Sequence, residues 1–281
     1  MPNEKWAKAL GVALRVGVYV LFVVAGMYLC GKLLDLSLVA AAVGVFLPAV
    51  AGNALVMRIF ERATLAEIGM GWNRSSIRNL LAGLAGGTGA ACVVLVLPVV
   101  CRLADFQAVA GAQPRWRTLL FVTGVLLMGA VGEEMLFRGY AFQVLVGNLG
   151  PFATVLPFGV LFGLAHASNP GITPLGLFNT MAWGVLLGYA FVRSGDLWLP
   201  IGLHFGWNWA LPLFGTGLSG FTMELTGYAL HWRIGAVWSG GDYGPEGGIL
   251  TSMVVLPLAL YLWKAPIRRQ RAFLLRDSEE A

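Results

Sequence analysis

Charge is what this chain has least of. Asp, Glu, Lys and Arg make up 12% of its 281 residues against 58% hydrophobic ones, and the mean hydropathy is +0.75. The core of a soluble domain this size cannot hide that much apolar surface, so a water-soluble globular protein is excluded and a membrane protein is expected. Cysteine is also scarce: Cys30, Cys92 and Cys101 lie in or beside apolar runs and lack CxxC or Cys/His spacing. That excludes a disulfide framework and a zinc finger, and leaves the thiols as small packing residues. No polar stretch is long enough for a soluble domain and no long-period repeat is evident, which removes most of the support for an inverted-repeat transporter. The net charge of +5 does not indicate nucleic acid, because the basic residues flank apolar segments instead of forming a stripe with interleaved aromatics.

What is present is a series of apolar runs. A spanning helix needs roughly 20 mostly apolar residues, and about eight stretches approach that length. They cover 9–30, 38–57, 80–101, 118–145, 152–168, 173–192, 197–214 and 249–264. The fourth is long and the fifth and seventh are short. The first run follows Lys5 and Lys8, is interrupted at Arg15 and closes at Met27–Cys30 without a small-x-small cleavage site, so a retained helix is expected. The expected fold is therefore all-α, a polytopic transmembrane bundle forming a single domain over 1–281. Eight crossings put both termini on one side. That side then collects Lys5, Lys8, Arg15, Arg58, Arg62, Arg74, Arg78, Arg138, Arg193, Lys264, Arg268, Arg269, Arg271 and Arg276, a split of 14 to 5 against Lys32, Arg102, Arg115, Arg117 and Arg233. The positive-inside bias then predicts a cell-membrane protein with cytoplasmic N- and C-termini. The C-terminal arginines read as a topology anchor on anionic lipid, and the sequon Asn73-Arg74-Ser75, placed inside, as a chance match. The connection 215–248, with Glu224, His231, Asp242, Glu246 and many glycines, is expected to be a flexible outer loop.

Ionisable residues inside apolar helices are costly and by default mark function. Glu133 and Glu134 end the run that starts at Leu119, and Arg138 follows. Adjacent helical positions diverge by about 100°, whereas Glu134 and Arg138 at i, i+4 share a face and can pair. Glu133 is left without a local cation, which suits it to general-base work. Phe162 and His166 lie one turn apart on the fifth segment, and His204 and Asn208 one turn apart on the seventh. An amide beside an imidazole suits stabilisation of a developing oxyanion. The pairs Gly83/Gly87, Gly184/Gly188 and Gly202/Gly206 allow close helix approach. From the residues alone other readings stay open: polar contacts that hold together a non-catalytic immunity or scaffold protein, a proton pathway, or a zinc site made of Glu133, His166 and His204.

The ordered set EExxxR (Glu133, Glu134, Arg138), FxxxH (Phe162, His166) and HxxxN (His204, Asn208) resembles the CPBP family of intramembrane proteases, which includes CAAX prenyl proteases and bacteriocin-processing and immunity proteins. The resemblance covers about a third of the chain, roughly 118–215, as the catalytic core. It implies an endopeptidase acting on a membrane-associated protein or peptide at the lipid bilayer, prenylated or exported. Glu133 and His166 would activate water, His204 and Asn208 would stabilise the oxyanion, and Glu134, Arg138 and Phe162 would support them. It implies a glutamate-type peptidase with no cofactor required, with Zn2+ as the alternative. The chain's own C-terminus, Asp277–Ala281, has no cysteine and so is no prenylation signal.

Overall fold

The computed structural model describes residues 2–34, 37–223, 225–270 and 272; Glu224, Arg271, Arg276 and the stretch 277–281 lie outside the described residues. Each predicted apolar segment contains a helix. In chain order these are α1 (Pro2–Leu33), α2 (Leu38–Val56), α3 (Arg74–Val100), α4 (Trp116–Arg138), α5 (Tyr140–Leu149), α6 (Pro151–Ala165), α7 (Pro174–Ser194), α8 (Trp198–Leu213), the single turn α9 (Ala236–Ser239) and α10 (Ile249–Lys264). Helix starts follow local chemistry. Asn73 caps α3 by accepting from the backbone N–H groups of Ser75 and Ser76, so the sequon asparagine is a helix cap, and Thr173 caps α7 by accepting from Gly176.

The interior carries the polar residues and the outside carries the apolar ones. Asn53, Asn79, Glu134, Arg138, Gln143 and Asn179 are fully buried, whereas Leu10, Leu21, Leu120, Phe152 and Leu256 are mostly exposed. Lipid as the surrounding medium accounts for this inversion. Five helical stretches are long and apolar enough to cross a membrane: Glu4–Leu33, Leu38–Glu61, Arg74–Val100, Trp116–Leu149 (α4 and α5 taken together) and Pro174–Ser194. The helices α6, α8 and α10 have 15, 16 and 16 residues. At 1.5 Å per residue they rise only about 24 Å against a hydrocarbon core of about 30 Å, so helix length does not by itself carry the count of eight crossings.

Two further differences concern the connections. The fourth segment is not one helix: it breaks at Gly139 into α4 and α5. The 215–248 connection carries secondary structure: its strand β2 (Tyr228–Trp232) pairs antiparallel with β1 (Ala104–Ala108), Asp105 opposite His231. A small ribbon is thus added to the otherwise helical bundle.

The bundle has two distinguishable ends. At the terminal end, the segments 57–73, 194–197 and 265–270 meet, and Arg15 of α1 pairs with Glu61 at 3.3 Å. Leu197 N–H donates to Gly69 O, Gln270 N–H to Ser194 O, and Arg268 N–H to the Asn79 side chain. Asp196 lies buried there among the side-chain donors of Asn79 and Gln270, and burial holds its carboxyl above the ordinary value. At the loop end, 101–115, 166–173 and 214–248 come together: Val109 N–H donates to Gly227 O and Arg115 N–H to Leu225 O.

Two packing features position the functional side chains. The glycine pairs of α3 and α8 face each other, so that a Cβ at Gly83 or Gly87 would run into the carbonyl oxygens of Leu199 and Leu203. The backbones are therefore in direct contact, the close approach that small residues permit in membranes. The α4–α5 break is satisfied from α2: the Asn53 amide nitrogen donates to Met135 O and Ala49 O, and its oxygen accepts from Tyr140 N–H. Tyr19 of α1 adds hydroxyl bonds to Met135 O and Leu136 O. The last turns of α4, which carry both glutamates, are thus held by α1 and α2.

Candidate active site

Near its C-terminal end, α4 points Glu134 into the bundle, where no part of its side chain is exposed. Its Oε1 accepts from Arg138 Nη1 at 3.2 Å and from His204 Nδ1 at 2.8 Å, so one oxygen joins α4 to α8. Arg138 is buried too: its Nη2 donates to Gly184 O of α7 at 2.7 Å, and its guanidinium lies 4.8 Å from the centre of the Phe162 ring. Phe162 in turn packs against both His166 and His204, with ring centres 4.7 and 5.9 Å away.

Glu133, one position along, points elsewhere. Its Oε2 is 3.7 Å from His166 Nε2 and 3.8 Å from His204 Nε2. These gaps exceed a direct hydrogen bond and are short enough for one shared solvent molecule. The same oxygen is buried and has no hydrogen-bond partner among the described residues. His166 lies just past the last turn of α6, as its C-cap, with Nδ1 2.8 Å from Phe162 O. A carbonyl oxygen only accepts, so Nδ1 carries a proton, and in the neutral ring Nε2 presents its lone pair toward Glu133. His204 is oriented in the same sense by Glu134. Each imidazole is thus fixed through one nitrogen and turns the other to the same place.

That place is the polar end of a cavity of about 300 Å³. Asn208 lines it with Glu133, His166 and His204. An apolar arm runs between Met27, Ala42 and Val45 on one side and Leu126, Gly129 and Ala130 on the other. Toward the loop end the wall is made by Asn169, Asn179, Leu218, Ser219, Phe221 and Glu246. The structure therefore brings together all seven residues singled out in the sequence. Sequence reasoning missed the closing wall. Glu246 Oε1 accepts from Trp207 Nε1 at 3.2 Å, while Oε2 accepts from Ser219 N–H and Oγ at 2.5 and 2.9 Å. Asn179 ties α7 to the same segment by donating to Glu246 O and Gly248 O. Beside them Tyr243 is enclosed, and burial pushes its hydroxyl up to about 12. The only advance signal was Glu246 among the polar residues and glycines of the 215–248 connection, with no spacing to link it to Trp207.

A family model described as "Type II CAAX prenyl endopeptidase Rce1-like" matches residues 115–210, a stretch from just before α4 to just past Asn208. No curated protein and no solved structure matches the chain. The match spans the segment that carries the three motifs and agrees with the family they resemble; it supports a membrane peptidase.

Zinc was the alternative for Glu133, His166 and His204. Tetrahedral zinc with bonds of about 2.0–2.1 Å sets its ligand atoms about 3.3–3.4 Å apart, closer than the Glu133–imidazole separations here. Among the described residues no group of three His, Cys, Asp or Glu is arranged to hold a metal ion. The set does not fit the ion as it stands, and no step below is routed through one.

Proposed function

We propose that the chain is an intramembrane endopeptidase that hydrolyses a peptide bond of a membrane-associated protein or peptide, with a water molecule activated by Glu133 and His166. The observation that carries this reading is the convergence of Glu133 Oε2 and the two imidazole Nε2 atoms at the end of an apolar cavity. Water held there gives a proton to Glu133 and a hydrogen bond to the His166 lone pair, and its oxygen attacks the carbonyl carbon. Negative charge then develops on the carbonyl oxygen, next to His204 Nε2 and the Asn208 amide. To donate from Nε2, His204 must carry both ring protons. Charge then balances in two pairs, Glu134 with Arg138 and Glu133 with His204. When the intermediate collapses the C–N bond breaks, and Glu133 returns its proton to the departing nitrogen, leaving a carboxylic acid and an amine, between which one proton then moves.

Glu134, Arg138 and Phe162 act by holding His204 and His166 in place. The chain sits in the cell membrane with both termini cytoplasmic, following the charge bias. The test is a comparison of membrane peptidomes from cells carrying the wild-type chain and Glu133→Ala. A precursor should accumulate in the variant while the protein remains folded and inserted. Unchanged peptidomes would leave the polar cluster as bundle packing and discard the peptidase.

A further inference from the structure

We propose that Trp183 is a substrate-binding residue whose indole N–H donates to a backbone carbonyl of the substrate beside the scissile bond; the proposal rests on the peptidase reading above. The periodicity of α7 brings the indole to the site. Asn179, Thr180, Trp183 and Leu187 recur at the spacing of one helical face, and all four line the cavity. At this level α7 is locked to the Glu134–Arg138–His204 cluster. The carbonyl of Gly184, the next residue, accepts from Arg138 Nη2 at 2.7 Å, and a Cβ added there would stand 2.9 Å from the Phe162 Cβ. On α8 the Trp183 ring lies against that of Trp207, with centres 4.6 Å apart, and Trp207 immediately precedes Asn208.

What sets Trp183 apart is its nitrogen. An indole Nε1–H is a donor that cannot accept. Trp198 donates to Gly71 O at 2.9 Å, Trp207 to Glu246 Oε1 at 3.2 Å and Trp209 to Thr123 Oγ1 at 3.0 Å. Trp183 is only 7% exposed, and its enclosed Nε1 has no acceptor among the described residues. A buried donor without a partner costs free energy, and packing against Trp207 needs the ring but not the N–H. The space that neighbouring residues leave open beside Trp183 is the cavity it lines, so the acceptor comes from what enters there.

A peptide held at Glu133 brings carbonyl oxygens on both sides of the one that is attacked. The attacked oxygen already has His204 and Asn208 beside it. Phe162 packs the two imidazoles, whereas the Trp183 ring packs on Trp207, which places its donor with a flanking peptide unit. Such a bond is as strong in the bound substrate as in the transition state. Its loss therefore raises KM and leaves kcat in place.

The test separates the N–H from the ring. Trp183→benzothienylalanine keeps the bicyclic side chain with sulfur in place of the N–H, and Trp183→Phe removes the donor and part of the ring. Both are made in the full chain, and turnover is measured on the precursor that accumulates with Glu133→Ala. The benzothienyl variant should melt like wild type, raise KM about tenfold and keep kcat within about twofold. Trp183→Phe should raise KM as much and also melt earlier, because it loses contact with Trp207. Unchanged KM in the benzothienyl variant would overturn the inference and leave Trp183 as packing. A lower kcat at constant KM would overturn it too, by moving the donor to the attacked oxygen. If wild type turns over no precursor, the peptidase reading falls and takes the inference with it, a result distinct from either of these.

Discussion

Replacing either of the adjacent glutamates by glutamine removes one charge and almost no volume, yet the two changes should fail differently. Glu133 has 24% of its side chain exposed, and its buried Oε2 bonds to nothing among the described residues. Folding loses no protein hydrogen bond at that oxygen, and His204 can give up its second ring proton once Glu133 is neutral, so Glu133→Gln should cost no more than about 1 kcal/mol of stability. Its cost should fall on the reaction. A positioned general base contributes about 10²–10⁴-fold, and at about 1.36 kcal/mol per tenfold that is about 3–5 kcal/mol of barrier. Glu134 is fully buried and bonds both Arg138 and His204. Glu134→Gln leaves the guanidinium without its counter-charge, and breaking a buried pair on one side costs about 3–5 kcal/mol of stability. The assay pairs thermal melting of the purified proteins in detergent with precursor turnover in membranes. A Glu133→Gln protein that melts like wild type while losing at least a hundredfold in turnover, beside a Glu134→Gln protein that melts early, is the expected pattern. Turnover by Glu133→Gln within tenfold of wild type, or a Glu134→Gln variant as stable as the parent, would refute the division of labour.

Three further outcomes follow from the same contacts. Gly87→Leu puts a side chain where the Leu203 carbonyl stands, so it should force α3 from α8 at a cost of about 1–3 kcal/mol or more and lower activity with stability, read by melting. Glu246→Gln weakens charge-assisted bonds to Ser219 worth about 1.5–3 kcal/mol, and should raise proteolytic nicking between 214 and 248 and KM more than it lowers kcat. Excess zinc chelator should leave turnover unchanged; loss of activity restored by added Zn2+ would replace the solvent-only mechanism.

Much of the bundle was legible because its signals are local. Long apolar runs announce helices, and the i, i+4 spacing of Glu134 and Arg138 is enough to place them in contact, as found at 3.2 Å. Gly83/Gly87 and Gly202/Gly206 were visible as close-approach surfaces, although nothing in their spacing says that they meet each other. The Glu134–His204 bond was hidden for the same reason: it requires α4 and α8 to be neighbours, which is a fact of assembly and not of sequence distance. The 215–248 connection looked flexible from its glycines. Several of them, such as Gly240 at φ 83° and Gly244 at φ 96°, adopt conformations that other residues resist, so here glycine permits a fixed path instead of a loose one. The break after Arg138 had no proline to mark it, and it is sustained from another helix.

That break limits how the protein can be dissected. Within hydrocarbon, an interrupted helix leaves amide groups that water cannot reach, and here Asn53 supplies the missing partners for Met135 and Tyr140. Residue 53 lies well outside the 115–210 stretch matched by the family model. A minimal fragment built on that stretch would carry every side chain of the proposed chemistry and still lack the amide that completes its central helix. Exchanging the first two helices between relatives should therefore disturb turnover even when no reacting group is altered.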